Sequence, residues 1–217
     1  RETAPAAATG SLFLGADGKP LDFFAAVVGG RSVGVPGIPR LLETVHARFG
    51  RRPWAELLEP AAALAERGFA VSPRLSTMLA GEAEHFEPGS TAHSYFYGAD
   101  GTPRPDGHLL RNPDYAATLR LLAKDGADAF YKGPLAAAIV AAVRGHAKNP
   151  GLLSAEDLAA YEVKEREPVC APYRGHEVCS MGPPSSGAIA IGQILGMVGP
   201  FPLRALGPDD PVSWRVI

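Results

Sequence analysis

The amino-acid sequence predicts an α+β chain, with a helix-rich middle over 39–161 and a strand hairpin followed by a helix over 163–198. Three observations carry this reading. Apolar residues recur at helical spacing through the middle. Prolines and glycines, 21 and 25 of them, fall mostly where helices would start or stop. After Val163 the apolar period shortens to that of strands.

Taken in order, Pro39 opens a run carrying Leu41, Leu42, Val45 and Phe49, and Gly50 closes it. That is proline in the first turn and glycine just past the end. Pro53 opens the next run, with Trp54, Leu57 and Leu58. Pro60 predicts a break or kink there, because it lacks the N–H that an interior helical residue donates. The run then continues from Ala61 to Arg67 and stops at Gly68. Ser72-Pro73 predicts a cap and first turn for a helix reaching about Phe86. The stretch from Glu87 to Arg111 is rich in Gly, Pro, Asp and His and predicts loop, with one short strand at Tyr95-Phe96-Tyr97 before the Asp100-Gly101 turn signal.

Asn112-Pro113 caps a helix that carries Tyr115, Leu119, Leu122 and Ala123 and ends at Gly126. Gly133-Pro134 starts another, with Leu135, Ile139, Val140 and Val143 inward. Ser154 and Asp157 have the spacing of a capping box, with Asp in place of Glu or Gln, for a short helix to Tyr161. Val163–Tyr173 and His176–Met181 then read as two strands around a two-residue loop, Arg174-Gly175. In that register Cys170 faces Cys179 in a non-hydrogen-bonded pair, and Pro172 faces Glu177 where it loses no ladder bond. Strands are close enough at such a pair for a disulfide, and two reduced thiols on one face fit equally. Gly187–Val198 is apolar enough for a buried helix. Pro211–Ile217 reads as the start of a helix that is cut.

Composition excludes several classes of function. With 21 Lys and Arg against 23 Asp and Glu, the formal net charge is -2, so no field attracts nucleic acid or an anionic membrane. The longest apolar stretch, Leu135–Val143, is far short of the roughly 20 residues that span a bilayer. The first residues lack the charged and apolar regions of a signal peptide, so any leader is expected to lie outside this chain. No phosphate loop or other cofactor motif occurs.

Chemistry-bearing motifs are few. Gly30-Arg31-Ser32-Val33-Gly34 has the G-x-S-x-G spacing of a nucleophile elbow. An elbow requires a helix immediately after the serine, and Val35-Pro36-Gly37-Ile38-Pro39 does not permit one. A glycine-rich strand and turn is therefore expected. The six histidines are scattered and make no compact ligand pair, so no metal site is expected. Ser185-Ser186-Gly187, between prolines and an apolar helix, predicts a strand-to-helix corner with a hydroxyl capping the helix.

Several stretches resemble the gamma-glutamyltranspeptidase family, and they follow that family's order. They are Arg1-Glu2-Thr3-Ala4-Pro5; Gly30–Gly37 with Val35-Pro36-Gly37; Phe49–Leu57; Glu59-Pro60-Ala61 with Gly68-Phe69; Ala129–Gly133; Ala155–Leu158 with Tyr161; and Pro183–Gly187. The resemblance implies an internal piece of the large subunit of an N-terminal-nucleophile hydrolase, a four-layer αββα sandwich. Such a precursor cleaves itself, and the new N-terminal Thr of the small subunit is nucleophile and base together. It attacks the gamma-glutamyl amide of substrates such as glutathione and passes the acyl group to water or an amine.

No Thr of that kind lies in this chain, so no catalytic residue is assigned within it, and the fragment alone is expected to be inactive. The implied partner is the small subunit of the same precursor, and the implied location is periplasmic or secreted. One site residue carries over from the Arg-Glu-x-Ala-Pro stretch: Arg1, whose guanidinium would pair with the substrate's alpha-carboxylate. Standing at the edge of the chain, it is expected to be the least fixed of residues. The sequence departs from the family pattern at His146–Gly151, where many relatives have paired glycines, and at Ala188. Related acylases, poly-gamma-glutamate-processing enzymes and a non-catalytic binding protein remain as alternatives. A cut through a sandwich also predicts exposed apolar surface.

Overall fold

A computed structural model describes residues 1–216. Its contacts gather into two compact units, Arg1–Val163 and Lys164–Ile217.

The first unit holds helices α1 (Phe23–Val27), α2 (Ile38–Phe49) and α3 (Trp54–Arg67), strand β1 (Phe69–Ala70), and helix α4 (Pro73–Gly81) with a 3-10 turn at Ala83–His85. Helix α5 (Thr91–Phe96), strand β2 (Leu109–Leu110) and helices α6 (Pro113–Asp125), α7 (Asp128–Tyr131), α8 (Gly133–Arg144) and α9 (Ala155–Ala159) follow. Caps act where the sequence placed them. Ser72 accepts from the Leu75 N–H, Asn112 from the Tyr115 N–H, and Ser154 and Asp157 close a reciprocal capping box.

Four expectations are corrected in this unit. Helix α3 continues through Pro60, so of the break or kink expected there the break does not occur. The bond lost at the proline is outweighed by docking on α6 on both sides of it. The Trp54 indole donates to the Leu122 carbonyl (2.8 Å), the Asn112 N–H bonds the Ala65 carbonyl (2.8 Å), and Arg120 grips both Glu59 and Glu66. Of Tyr95–Tyr97 only Tyr97 is extended, in a single antiparallel bridge to Pro103 across the expected turn, while Tyr95 and Phe96 end a helix. Ser90 caps a helix there by accepting from the His93 N–H, and the short strand lies instead at Leu109–Leu110, antiparallel to Phe69–Ala70. The N-terminal region, expected to hold a strand, pairs only through the isolated bridges Thr3–Val35 and Leu14–Pro20. Tyr115 on α6 faces solvent, and Ala116 is buried with Leu119 and Leu122 in its stead.

The second unit is a hairpin and three helices: β3 (Val169–Tyr173), β4 (His176–Ser180), α10 (Gly187–Val198), α11 (Leu203–Leu206) and α12 (Pro211–Val216). Strand β3 begins six residues later than expected, because Val163 packs against the core of the first unit. The hairpin register is the expected one, Tyr173 opposite His176 and Cys170 opposite Cys179. Arg174 and Gly175 both take positive φ, 49° and 82°, as a two-residue turn matching strand twist requires. Cys170 and Cys179 are joined in a disulfide, Cα atoms 4.1 Å apart, which decides between the two forms the sequence allowed. Helix α10 is not the buried helix its composition predicts: among its large side chains Ile194 and Met197 are 53% and 66% exposed, and only Ala188 is buried. This unpartnered apolar face agrees with the exposed surface expected of a piece of a sandwich. A helix is present at the expected place, α12, and Ile217 lies outside the described residues.

The main core of the first unit gathers Val35, Ala127, Tyr131, Ala136, Val143, Leu153, Leu158 and Tyr161. It brings residues from both ends of the unit against one another, and it is this cluster that holds the candidate site.

Candidate functional site

Arg1 begins a strip of extended chain that the core fixes at three points. The Tyr161 hydroxyl donates to the Arg1 carbonyl at 2.7 Å. Thr3 and Val35 exchange two backbone bonds, 3.3 and 2.8 Å. The Ala6 N–H donates to a carboxylate oxygen of Asp157 at 2.8 Å. Arg1 is expected to be the least fixed residue, yet its strip has anchors as far as 160 residues away in sequence. Its side chain is 43% exposed, and among the described residues its guanidinium pairs with the exposed Glu2 carboxylate, at 3.6 Å. A contact of that kind is worth little in water and gives way easily to a better-placed anion.

Behind this strip stands a stack of aromatic rings. Tyr161 lies parallel to Tyr131, centroids 5.4 Å apart. The Tyr131 hydroxyl donates to the Pro36 carbonyl (2.7 Å) and accepts from the Arg40 N–H (3.3 Å), while the Arg40 guanidinium lies 5.0 Å over the ring. Arg40 also bonds Glu43 and Asp128. Burial raises both tyrosine pKa values, and for Tyr161 the negative charge of Glu2 adds to it. Both hydroxyls therefore stay protonated and remain donors at neutral pH. Burial pushes Asp157 up, but the N–H groups of Ala6 and Ser154 outweigh it and leave its carboxyl below the usual value.

Gly37 makes this arrangement possible. A Cβ there would run into the Tyr161 hydroxyl and come within 2.9 Å of the Arg1 carbonyl. Only glycine lets α2 begin so close to the strip.

The G-x-S-x-G run is a packing turn, as its context predicts. The Ser32 hydroxyl is spent on the Val27 carbonyl, 2.7 Å away. Its organiser, which the sequence did not single out, is Asn149. That buried side chain donates to the Ala25 and Val28 carbonyls (3.0 and 2.8 Å) and accepts from Arg31 Nε (2.6 Å). Its carbonyl receives the Gly30 and Arg31 N–H groups. A Cβ at Gly30 would strike the Val143 carbonyl and the Gly151 N–H. The His146–Gly151 loop, where the sequence departs from the family pattern, is thus the piece that clasps this turn.

In the second unit, Ser185 and Ser186 form the expected corner. The hydroxyl that acts is Ser185's, accepting from the Gly187 N–H at 3.2 Å, while Ser186 makes no side-chain cap bond. Cys170, Glu177 and Cys179 bring ligand-type atoms within 4.8 Å of one another, the single such group of three among the described residues. Both sulfurs are consumed in the disulfide, so no thiolate is available there to ligate a metal.

The profile of the family described as Gamma-glutamyltranspeptidase matches residues 1–217. The chain belongs to the gamma-glutamyltranspeptidase family. It is similar to a glutathione hydrolase proenzyme of Pseudomonas sp. strain A14, 34% identical over 207 residues, covering 95% of this chain and 35% of that protein. It is also similar to the Acylase ACY 1 proenzyme of Pseudomonas sp. strain SE83, 40% identical over 183 residues, with 83% of this chain and 32% of that one covered. The crystal structure of Helicobacter pylori gamma-glutamyltranspeptidase superposes on the whole chain with a TM-score of 0.89 and 34% identity, over 61% of its own chain. The gamma-glutamyltranspeptidase fold, and an α+β part of it, is therefore shown. The chain spans about a third of the length of the curated relatives it matches. No helix among the described residues is long and apolar enough to cross a membrane.

Proposed function

We propose that the protein containing this chain cleaves gamma-glutamyl amides such as glutathione and passes the acyl group to water or to an amine, with this chain supplying the alpha-carboxylate clamp of its large subunit. The observation that carries the reading is the anchoring of the Arg1 strip. A family member has its Arg-Glu-x-Ala-Pro arginine held by the backbone against a buried tyrosine, with the guanidinium free of any strong partner. A planar, permanently charged fork in that state suits a substrate carboxylate. In this reading the nucleophile is the N-terminal Thr of a small subunit released from the same precursor, and it lies outside this chain. The relatives named as proenzymes support that maturation. A periplasmic or secreted location fits the family and is supported by the Cys170–Cys179 disulfide, since such bonds persist in oxidising compartments.

Turnover of a gamma-glutamyl anilide by the full-length, processed protein is the test. Release of the aniline, lost in the absence of the small subunit, is expected. A processed protein that leaves the anilide intact overturns the proposal. The 40% identity to an acylase favours a second reading on the same fold, with a different acyl group. The likeness to a cephalosporin acylase of Bacillus halodurans, 26% identical, makes an acylated cephalosporin its test substrate, cleaved in preference to the gamma-glutamyl anilide.

A further inference from the structure

A second cationic site lies in the first unit, where the chain leaving α5 passes β2. Ser94, Tyr95, Arg104, His108, Leu109 and Arg111 line a cavity of about 470 Å³. That volume lies within the range of small-molecule pockets. No carboxylate lines it, and neither arginine has an ion-pair partner within 4 Å among the described residues. Arg104 reaches the Ser94 carbonyl through one terminal nitrogen at 3.3 Å, and Arg111 reaches the Arg67 carbonyl through Nε at 3.2 Å. Asp100 is the carboxylate that feels Arg104. Its two bonds to Thr102 do most to hold it below its usual pKa, and Arg104 contributes least.

Arg104 Nε is shielded from solvent, so it is the terminal nitrogens of this guanidinium that a ligand would meet. The cavity wall is not purely polar, because Tyr95 and Leu109 offer an aromatic face and an apolar edge beside the two guanidinium groups.

We propose that this cavity binds a small carboxylate with an apolar body. The carboxylate sits on Arg104 and Arg111, and the body lies against Tyr95 and Leu109. The site is separate from Arg1 and is independent of the function proposed above.

The test is a methyl-NMR titration of the full-length protein, following the Leu109 and Leu110 signals. Phenylacetate is the probe and the neutral phenylacetamide the control. Phenylacetate should shift both methyl sets saturably at millimolar concentration, and phenylacetamide should bind at least about tenfold more weakly, as loss of a charge-assisted hydrogen bond requires. Arg104→Gln and Arg111→Gln should each weaken phenylacetate by about tenfold or more. Arg1→Gln should leave the titration unchanged, which separates this site from the proposed substrate clamp. Equal binding of acid and amide, or no shift with phenylacetate up to about 20 mM, overturns the proposal without any variant. So does a titration that Arg1→Gln abolishes.

Discussion

Replacing Tyr161 by Phe removes one hydroxyl and nothing else. The ring is 7% exposed and stacked on Tyr131, so Phe keeps the packing and opens no cavity. What is lost is the 2.7 Å bond to the Arg1 carbonyl. A neutral hydrogen bond of this kind contributes about 1 kcal/mol net. Stability should fall by that amount, against about 3–5 kcal/mol for Tyr161→Ala, which also empties the ring site. If the bond sets where Arg1 stands, the same 1 kcal/mol should appear as a rise of about fivefold in KM for a gamma-glutamyl anilide, with kcat little changed. In an Arg1→Gln background the same substitution should leave KM untouched, because nothing remains to be positioned. Steady-state kinetics with the full-length processed protein, paired with denaturant unfolding, reads both quantities. A stability loss of that size with unchanged KM would refute the positioning role, as would an equal rise in KM with and without Arg1.

Four further outcomes follow from the same contacts. Tyr131 and Tyr161 have pKa values raised above their ordinary value of about 10, so the stability they contribute is present below that pH and is lost as pH rises through the folded values; alkaline unfolding should become shallower in Tyr161→Phe. Asp157 is depressed, so its contribution is present above about pH 3.9 and is lost as pH falls through the folded value; Asp157→Ala should cost about 1–2 kcal/mol at pH 7 and flatten the acid limb of a denaturation profile. Asn149→Ala strips its side-chain hydrogen bonds from the Ala25–Arg31 turn and should destabilise by about 3 kcal/mol, measured by urea unfolding. Cys170→Ser with Cys179→Ser opens a short loop, sequence separation 9, and should cost about 2–3 kcal/mol, while alkylation of the unreduced protein should find neither thiol free.

The sequence made the capped helices legible because each carries its signal within four residues, as Ser72, Asn112 and Ser154 do. The hairpin was legible for the same reason, since Arg174-Gly175 sets the register that brings Cys170 to Cys179. Where the reading failed, either a distant partner or a local cap that it had passed over decided. Pro60 stays helical because α6 holds both sides of it, and Tyr95 and Phe96 are helical because Ser90 caps a segment whose aromatic residues suit either state. Helix α10 has the composition of a buried helix and an exposed face, because burial depends on what covers it.

The site divides in the same way. Arg1 could be found by family resemblance alone, since nothing local distinguishes it from any exposed arginine. Its anchors, Tyr161 and Gly37, lie in stretches the family match already covered, but their contact with Arg1 is a matter of three-dimensional packing. Asn149 gave no local signal at all. Its partners are 118 to 124 residues away, and a lone Asn before a proline reads as a turn.

The central claim is that Arg1 reads the alpha-carboxylate of a gamma-glutamyl substrate. The most direct measurement compares hydrolysis of a gamma-glutamyl anilide with that of its alpha-carboxamide analogue, by the processed wild-type protein and by Arg1→Gln. A charge-assisted bidentate pair predicts that wild type prefers the acid by about 10- to 100-fold in kcat/KM, and that Arg1→Gln loses most of that preference. An Arg1→Gln protein that discriminates acid from amide as well as wild type does would contradict the account.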